Sequence, residues 1–343
     1  MSIAPVPAVT GAVPQTYTAP QSFGALQRQL HTLLPREQVL GDGQSTLEQM
    51  ATPAEPPRLV RADVVEGGAM RARRVLGDPE VGFHAFLDGT QSSRVLAYAD
   101  GIAIVHGTVA AVVRARRNRR MATWGRPLVM RRLYAPLARL APEWHRALEA
   151  LAIEVVDTSR PDRDQEEAAH PFALRDAAVH RVQSDRERAE QELAERWCGL
   201  EISPLFIDGG ISGSERVAVS ACTVGIVKSH RTLYAEDAAL QTVLRLRRGE
   251  RSSVIRITSP RRTTVASWYL RLRDTAGRDP MWGLVRVEIA YPGRIEEPRV
   301  GPRADQVSRW ILAEAAPLAL PDSRWDKMTY GVRDCEEFLR AIV

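Results

Sequence analysis

Two short apolar runs in this chain break off at the same dipeptide. Residues 83–87 (Phe-His-Ala-Phe-Leu) run into Asp88-Gly89-Thr90, and residues 204–207 (Pro-Leu-Phe-Ile) run into Asp208-Gly209-Gly210. A short apolar run closed by Asp-Gly reads as a buried strand that stops at a turn. Each pair taken alone is ordinary turn chemistry. Taken together they constrain the fold further, because a carboxylate at the end of a buried strand is held rigidly and faces a cleft. Two such carboxylates on neighbouring strands repel each other unless a divalent cation neutralises them. Phosphodiester hydrolysis by two cations uses that arrangement.

The rest of the chain reads as a mixed sheet with helices. Residues 94–98 and 101–113 are strand-like, joined at Asp100-Gly101 as a hairpin turn. Leu137, Leu140, Trp144, Leu148 and Leu151 form a helical stripe, and residues 176–197 read as a second helix. Residues 157–171, charged and carrying two prolines, read as a loop. Residues 217–227, 253–257, 263–272 and 284–290 are strand-like, and 304–315 and 335–342 helical. The fold class expected is α/β, a mixed sheet with helical additions.

The N-terminal part differs in composition. Residues 1–20 are rich in Pro, Ala and Thr, and 51–57 (Ala-Thr-Pro-Ala-Glu-Pro-Pro) form a second Pro-rich linker. Between them Phe23, Leu26, Leu30, Leu33 and Leu34 fall at helical spacing before Pro35. The chain therefore divides into a tail with an amphipathic helix, 1–57, and a folded domain, 58–343. The apolar stripe must dock on this chain, a second copy or a partner.

With 343 residues the chain is long enough to bury a large core. No run of about 18 apolar residues is present, so a membrane span is not expected. The start lacks the pattern of a secretory signal. Cys198, Cys222 and Cys335 make neither a disulfide framework nor a zinc motif, which suits a reducing cytoplasm. Lys and Arg number 47 against 42 Asp and Glu, and only Lys228 and Lys327 are lysines. Arginines cluster at Arg114, Arg116, Arg117, Arg119 and Arg120, and again at Arg245, Arg247, Arg248 and Arg251. Such clusters suit a phosphate backbone, and they equally suit a solvated face.

Further carboxylates would be needed around two cations. The helix before Asp208 offers Glu187, Glu190, Glu192 and Glu195. With Val182, Ala189, Leu193 and Trp197 as its buried stripe, Glu190 and Glu192 flank the stripe, so either could face the sheet. No P-loop lysine follows the glycines at 209–213, and neither a helical HxxxH pair nor a GxSxG elbow occurs. His230 stands beside Lys228 at the end of a strand-like run.

In this order the motifs resemble the NurA nucleases. They are Phe86-Leu87-Asp88-Gly89-Thr90, a helical glutamate, Phe206-Ile207-Asp208-Gly209, Val224-Gly225-Ile226-Val227-Lys228-Ser229, residues 267–272, and Tyr291-Pro292 before a helix. The resemblance spans roughly residues 80–320. It implies an RNase H-like fold and a manganese- or magnesium-dependent DNA nuclease. It also implies a homodimer that works with a HerA-type hexameric ATPase in DNA end processing or anti-phage defence. Asp88, Asp208 and Glu190 or Glu192 would then be the metal ligands, Lys228 would contact the phosphate and Tyr291 would orient a water or phosphate. Arg116, Arg117, Arg119, Arg120, Arg247 and Arg248 would grip the DNA backbone without reading sequence. The family carries a histidine at the start of its last helix, whereas here no histidine follows His230 and Asp305 stands at the matching position. Asp305 would therefore serve as the last ligand, or the chain is a catalytically inactive nucleic-acid-binding or assembly subunit of the same fold.

Overall fold

Strands dominate the part of the chain between residues 85 and 135. In a computed structural model that describes residues 22–34, 46–47, 56–118, 120–159, 170–275, 277–315 and 329–343, this part is an antiparallel meander of β1 (Ala85–Ala99), β2 (Ile102–Arg117) and β3 (Arg120–Ala135). The β1–β2 hairpin turns at Asp100 (φ 48°) and Gly101 (φ 82°), the two positive dihedrals a tight hairpin requires. Helix α3 (Pro171–Leu200) then crosses to β4 (Leu205–Asp208), which lies parallel to β1, and β5 (Thr223–Val227) lies parallel to β4. The order β3-β2-β1-β4-β5 is that of an RNase H-like sheet. Beyond β5 the sheet continues antiparallel through β9 (Leu284–Ala290), β8 (Val265–Arg271) and β7 (Ile255–Ile257). The short β6 (Glu250–Ser252) pairs with one end of β8.

Three differences from the sequence reading matter. The first Asp-Gly pair does not end a strand, because β1 runs straight through it to Ala99. Residues 120–135 form a long strand although Arg, Trp, Gly and Pro interrupt their pattern. Pairing with β2 along nearly its whole length holds β3 in place where propensity does not. The run 217–227 divides into a helical turn, Glu215–Ala218, and β5. The segment 160–169, within the loop expected at 157–171, and residues 1–21 of the expected tail lie outside the described residues.

Helix α3 packs one face of the sheet with Val182, Ala189, Leu193 and Trp197, the stripe its spacing predicts. Helices α5 (Val300–Glu314) and α6 (Tyr330–Ile342) cover the other face over Phe86, Phe206, Val224 and Trp268. The far ends of β1–β3 project past β4 and are covered by α1 (Phe23–Leu33) and α2 (Pro142–Ala150). Leu26 and Leu30 are wholly buried there, so the N-terminal stripe docks on its own chain. Helix α4 (Asp237–Leu244) packs near the β8–β9 end of the sheet. No helix among the described residues is long and apolar enough to cross a membrane.

Candidate active site

Register brings the two aspartates together. Strands β1 and β4 pair Ala85 with Leu205, Phe86 with Phe206 and Leu87 with Ile207, so Asp88 and Asp208 are the next residues on adjacent strands. The second Asp-Gly pair is a true strand end, with Gly209 turning away at φ 146°. The first is a point of close approach. A Cβ on Gly89 would stand 2.4 Å from Glu190 Oε1, so only glycine lets α3 bring this carboxylate down to the sheet. On the opposite face α6 rests on β1, and the Cys335 thiol donates to the Phe86 carbonyl at 3.4 Å. One residue on, Glu336 reaches the same place. Asp88, Asp208, Lys228, Arg186, Glu336 and Arg340 line an open pocket of about 430 Å³.

The charges within it are unequally balanced. Lys228 Nζ lies 2.7 Å from Asp208 Oδ2. Arg186 pairs with Glu190 and donates through Nε to Gln91 Oε1 at 3.1 Å. Burial pushes the Asp88 carboxyl well above the usual carboxylate range, and Asp208, Glu190 and Glu336 push it further against the pull of Lys228. Burial likewise raises Glu190 to about 7, against the Arg186 guanidinium. Burial thus works against the ionised forms of Asp88 and Glu190, and a cation among them would work in their favour.

The other residues singled out by sequence lie elsewhere. Glu192 is half exposed and pairs with Arg196 on the solvent side of α3. Asp305 does not start a helix. It stands in the second turn of α5, where Arg251 Nε donates to its Oδ1 at 2.6 Å and the same buried guanidinium also binds Glu66. Tyr291 donates to Glu297 beyond the end of β9 that is remote from Lys228. Arg116 makes two hydrogen bonds to Glu314, at 2.8 and 2.9 Å, and Arg114 pairs with Asp334 at 2.5 Å. Arg117 and Arg120 are exposed at the β2–β3 turn, and Arg119 lies outside the described residues. Arg247 and Arg248 are exposed just before β6.

Sequence reasoning missed Arg186, Glu336 and Arg340. Arg186 carried a signal, since it stands one helical turn before Glu190. Nothing local to Glu336 and Arg340 says that their helix lands on β1.

Among the described residues, no three His, Cys, Asp or Glu side chains are placed so as to hold a metal ion. The donors around Asp88 are nonetheless all hard carboxylate oxygens, and a divalent cation would relieve the charge that burial leaves uncompensated there. In kind, the residues fit such an ion.

No family model and no curated protein matches the sequence. Among solved structures there is a match. The chain is similar to the NurA nuclease from Sulfolobus solfataricus. The crystal structure of that protein aligns over 78% of this chain and 81% of its own, at 12% identity and a TM-score of 0.45.

Proposed function

We propose that this chain is a divalent-cation-dependent DNA nuclease. The observation that carries the reading is the register of Asp88 beside Asp208, with Glu190 closing on them from one face of the sheet and Glu336 from the other. Asp88, Asp208, Glu190 and Glu336 would hold the cation, manganese or magnesium. When bound, such an ion supplies Lewis-acid stabilisation of phosphoryl charge and lowers the pKa of a bound water. Lys228 and Arg186, both lining the pocket, put positive charge where the non-bridging oxygens of a phosphodiester gain negative charge. Glu190 releases its proton near pH 7, so the pocket gains capacity for a cation as pH rises through neutrality. The ordered motifs that resemble NurA nucleases support extending the proposal to a cytoplasmic homodimer. The same motifs support action with a HerA-type hexameric ATPase in DNA end processing or anti-phage defence.

A second reading, an inactive nucleic-acid-binding subunit, is favoured by one observation. Lys228 on Asp208, Arg186 on Glu190 and Arg340 on Glu336 already pair three of the four carboxylates. Incubating linear duplex and single-stranded DNA with manganese, magnesium or a chelator separates the two readings. Cleavage only with added cation supports the nuclease, and salt-sensitive binding without cleavage supports the inactive subunit. Asp88→Asn and Asp208→Asn should each reduce cleavage at least about 100-fold, the loss typical of removing a group that stabilises transition-state charge. Both should keep a cooperative melt. Near-normal rates in either variant would remove the paired aspartates from the chemistry.

A further inference from the structure

The two arginine clusters of this chain lie at opposite edges of its sheet, and only one edge holds the pocket. Asp208 pairs with Ile226, and the next residue, Val227, pairs with Arg286. Arg286 faces Tyr269, and two residues further toward the same edge Leu284 faces Arg271. There Gly249 N donates to the Arg271 carbonyl at 3.0 Å, which puts the turn of Arg245, Arg247 and Arg248 on the pocket's edge, four strands over. At about 4.8 Å per strand this is about 20 Å from Asp208. That distance corresponds to about six phosphates of one duplex strand at ~3.4 Å each.

The turn is built to hold its shape. The guanidinium of Arg271, wholly buried, donates to the Leu244 and Leu246 carbonyls at 2.8 and 3.0 Å, and across to the Pro280 carbonyl at 2.9 Å. It thereby ties the end of α4 to the loop between β8 and β9. Glu250 Oε2 accepts from Arg247 N at 2.8 Å, and Asp274 Oδ1 accepts from Arg248 N at 3.2 Å. Carboxylates thus hold the backbone of the turn, while the Arg245, Arg247 and Arg248 side chains are exposed and make no ion pair among the described residues. In the same loop Arg278 stacks 4.6 Å over Trp282, an aromatic face of the kind on which a base can stack.

The other cluster lies at the opposite edge. Asp88 pairs with Val112 on β2, and from there Arg114, Arg116 and Arg117 run toward the edge remote from the pocket. Arg114 and Arg116 are also occupied by Asp334 and Glu314.

Building on the nuclease reading, we propose that the nucleic-acid backbone runs along the edge from the Asp88–Asp208 pocket to the turn of Arg245, Arg247 and Arg248, and that the Arg117–Arg120 hairpin takes no part. The test measures binding of labelled duplex and single-stranded DNA by fluorescence anisotropy, in chelator so that the DNA stays intact, across a salt series. Arg247→Ala with Arg248→Ala should weaken binding about 10-fold and lower the log–log salt slope by about 2, one for each lost phosphate contact. Arg247→Lys with Arg248→Lys should retain most of the affinity, because charge rather than geometry is used. Arg117→Ala with Arg120→Ala should change affinity less than about twofold by the same reckoning. Melting curves of all variants confirm that each is folded. If the wild-type chain cleaves and binds DNA but the 247/248 double variant binds equally well, or the hairpin variant loses as much, the track is wrong and the nuclease reading survives. If the wild-type chain neither binds nor cleaves DNA, both fail together.

Discussion

Asp305 and Glu190 show how one residue's role turns on what stands opposite it. Both are carboxylates on helices that pack against the sheet, and both are largely removed from water. Glu190 meets a glycine on a strand that carries an aspartate next door. Asp305 meets Arg251, which is buried and satisfied by Asp305, Glu66 and two carbonyls. Its charge is therefore spent on an internal ion pair. Asp305→Asn should lower stability by up to about 3 kcal/mol, the scale of breaking a buried pair that keeps one partner. It should leave the cation concentration for half-maximal cleavage unchanged. A melting curve and a manganese titration check both, and a shifted titration with an unshifted melt would return Asp305 to the active site.

At the scale of elements, α1 and α6 are separate attachments with different work. Helix α6 completes the pocket by presenting Glu336 and Arg340. Its fit depends on Gly331, where any Cβ would collide with the Phe86 ring at 2.1 Å. Helix α1 closes the core under the projecting ends of β1–β3, with Leu26 and Leu30 against Leu96, Ile104 and Trp144. That core is distinct from the ones that hold the pocket. Leu26→Ala should cost about 2–5 kcal/mol of α1 docking. Proteolysis should then cut first near α1, while cleavage per folded molecule stays near normal. Loss of DNA cleavage at a temperature where the chain is still folded would show that the two ends of the sheet are coupled.

Over the whole molecule, buried titratable groups pull stability in opposite directions. Glu190 titrates at about 7 in the fold against an ordinary 4.5, so folding favours its protonated form. Stability from this group falls as pH rises from 4.5 to 7, by about 3 kcal/mol in all, and Asp88 acts in the same sense. His106, buried beside Phe23 and held down to about 4 by burial with help from Arg131 and Arg94, acts the other way. Its stability is full above the ordinary value of 6.5 and is lost as pH falls toward 4, again by about 3 kcal/mol. Two acids outweigh one base, so the cation-free melting temperature should fall between about pH 5 and pH 7, and saturating manganese should reverse the trend. Replacing both carboxyls, Asp88→Asn with Glu190→Gln, should invert the slope and leave the histidine effect alone. A cation-free melting temperature that rises with pH in the wild-type chain would contradict the charge balance assigned to the pocket.

Local pattern was enough for the class of fold, the α3 stripe and the choice of Asp88 and Asp208 as the acidic residues that follow two buried runs. These rest on apolar periodicity and on an acidic residue closing a buried run, both written into a few consecutive residues. The same local signal misread Gly89 as a turn, because a glycine needed for a helix's close approach is indistinguishable in sequence from one needed for a positive φ. It also left Glu190 and Glu192 equivalent, since both border the stripe. The choice between them depends on how α3 is rotated over β1, and that rotation is set by packing across the whole sheet. Glu336, Arg340 and the separation of the two arginine clusters were invisible for the same reason. Each depends on residues more than a hundred positions apart, brought together by the packing of α6 on β1 or by the register of strand pairs, and such partners are chosen by the tertiary fold rather than by neighbours in the chain.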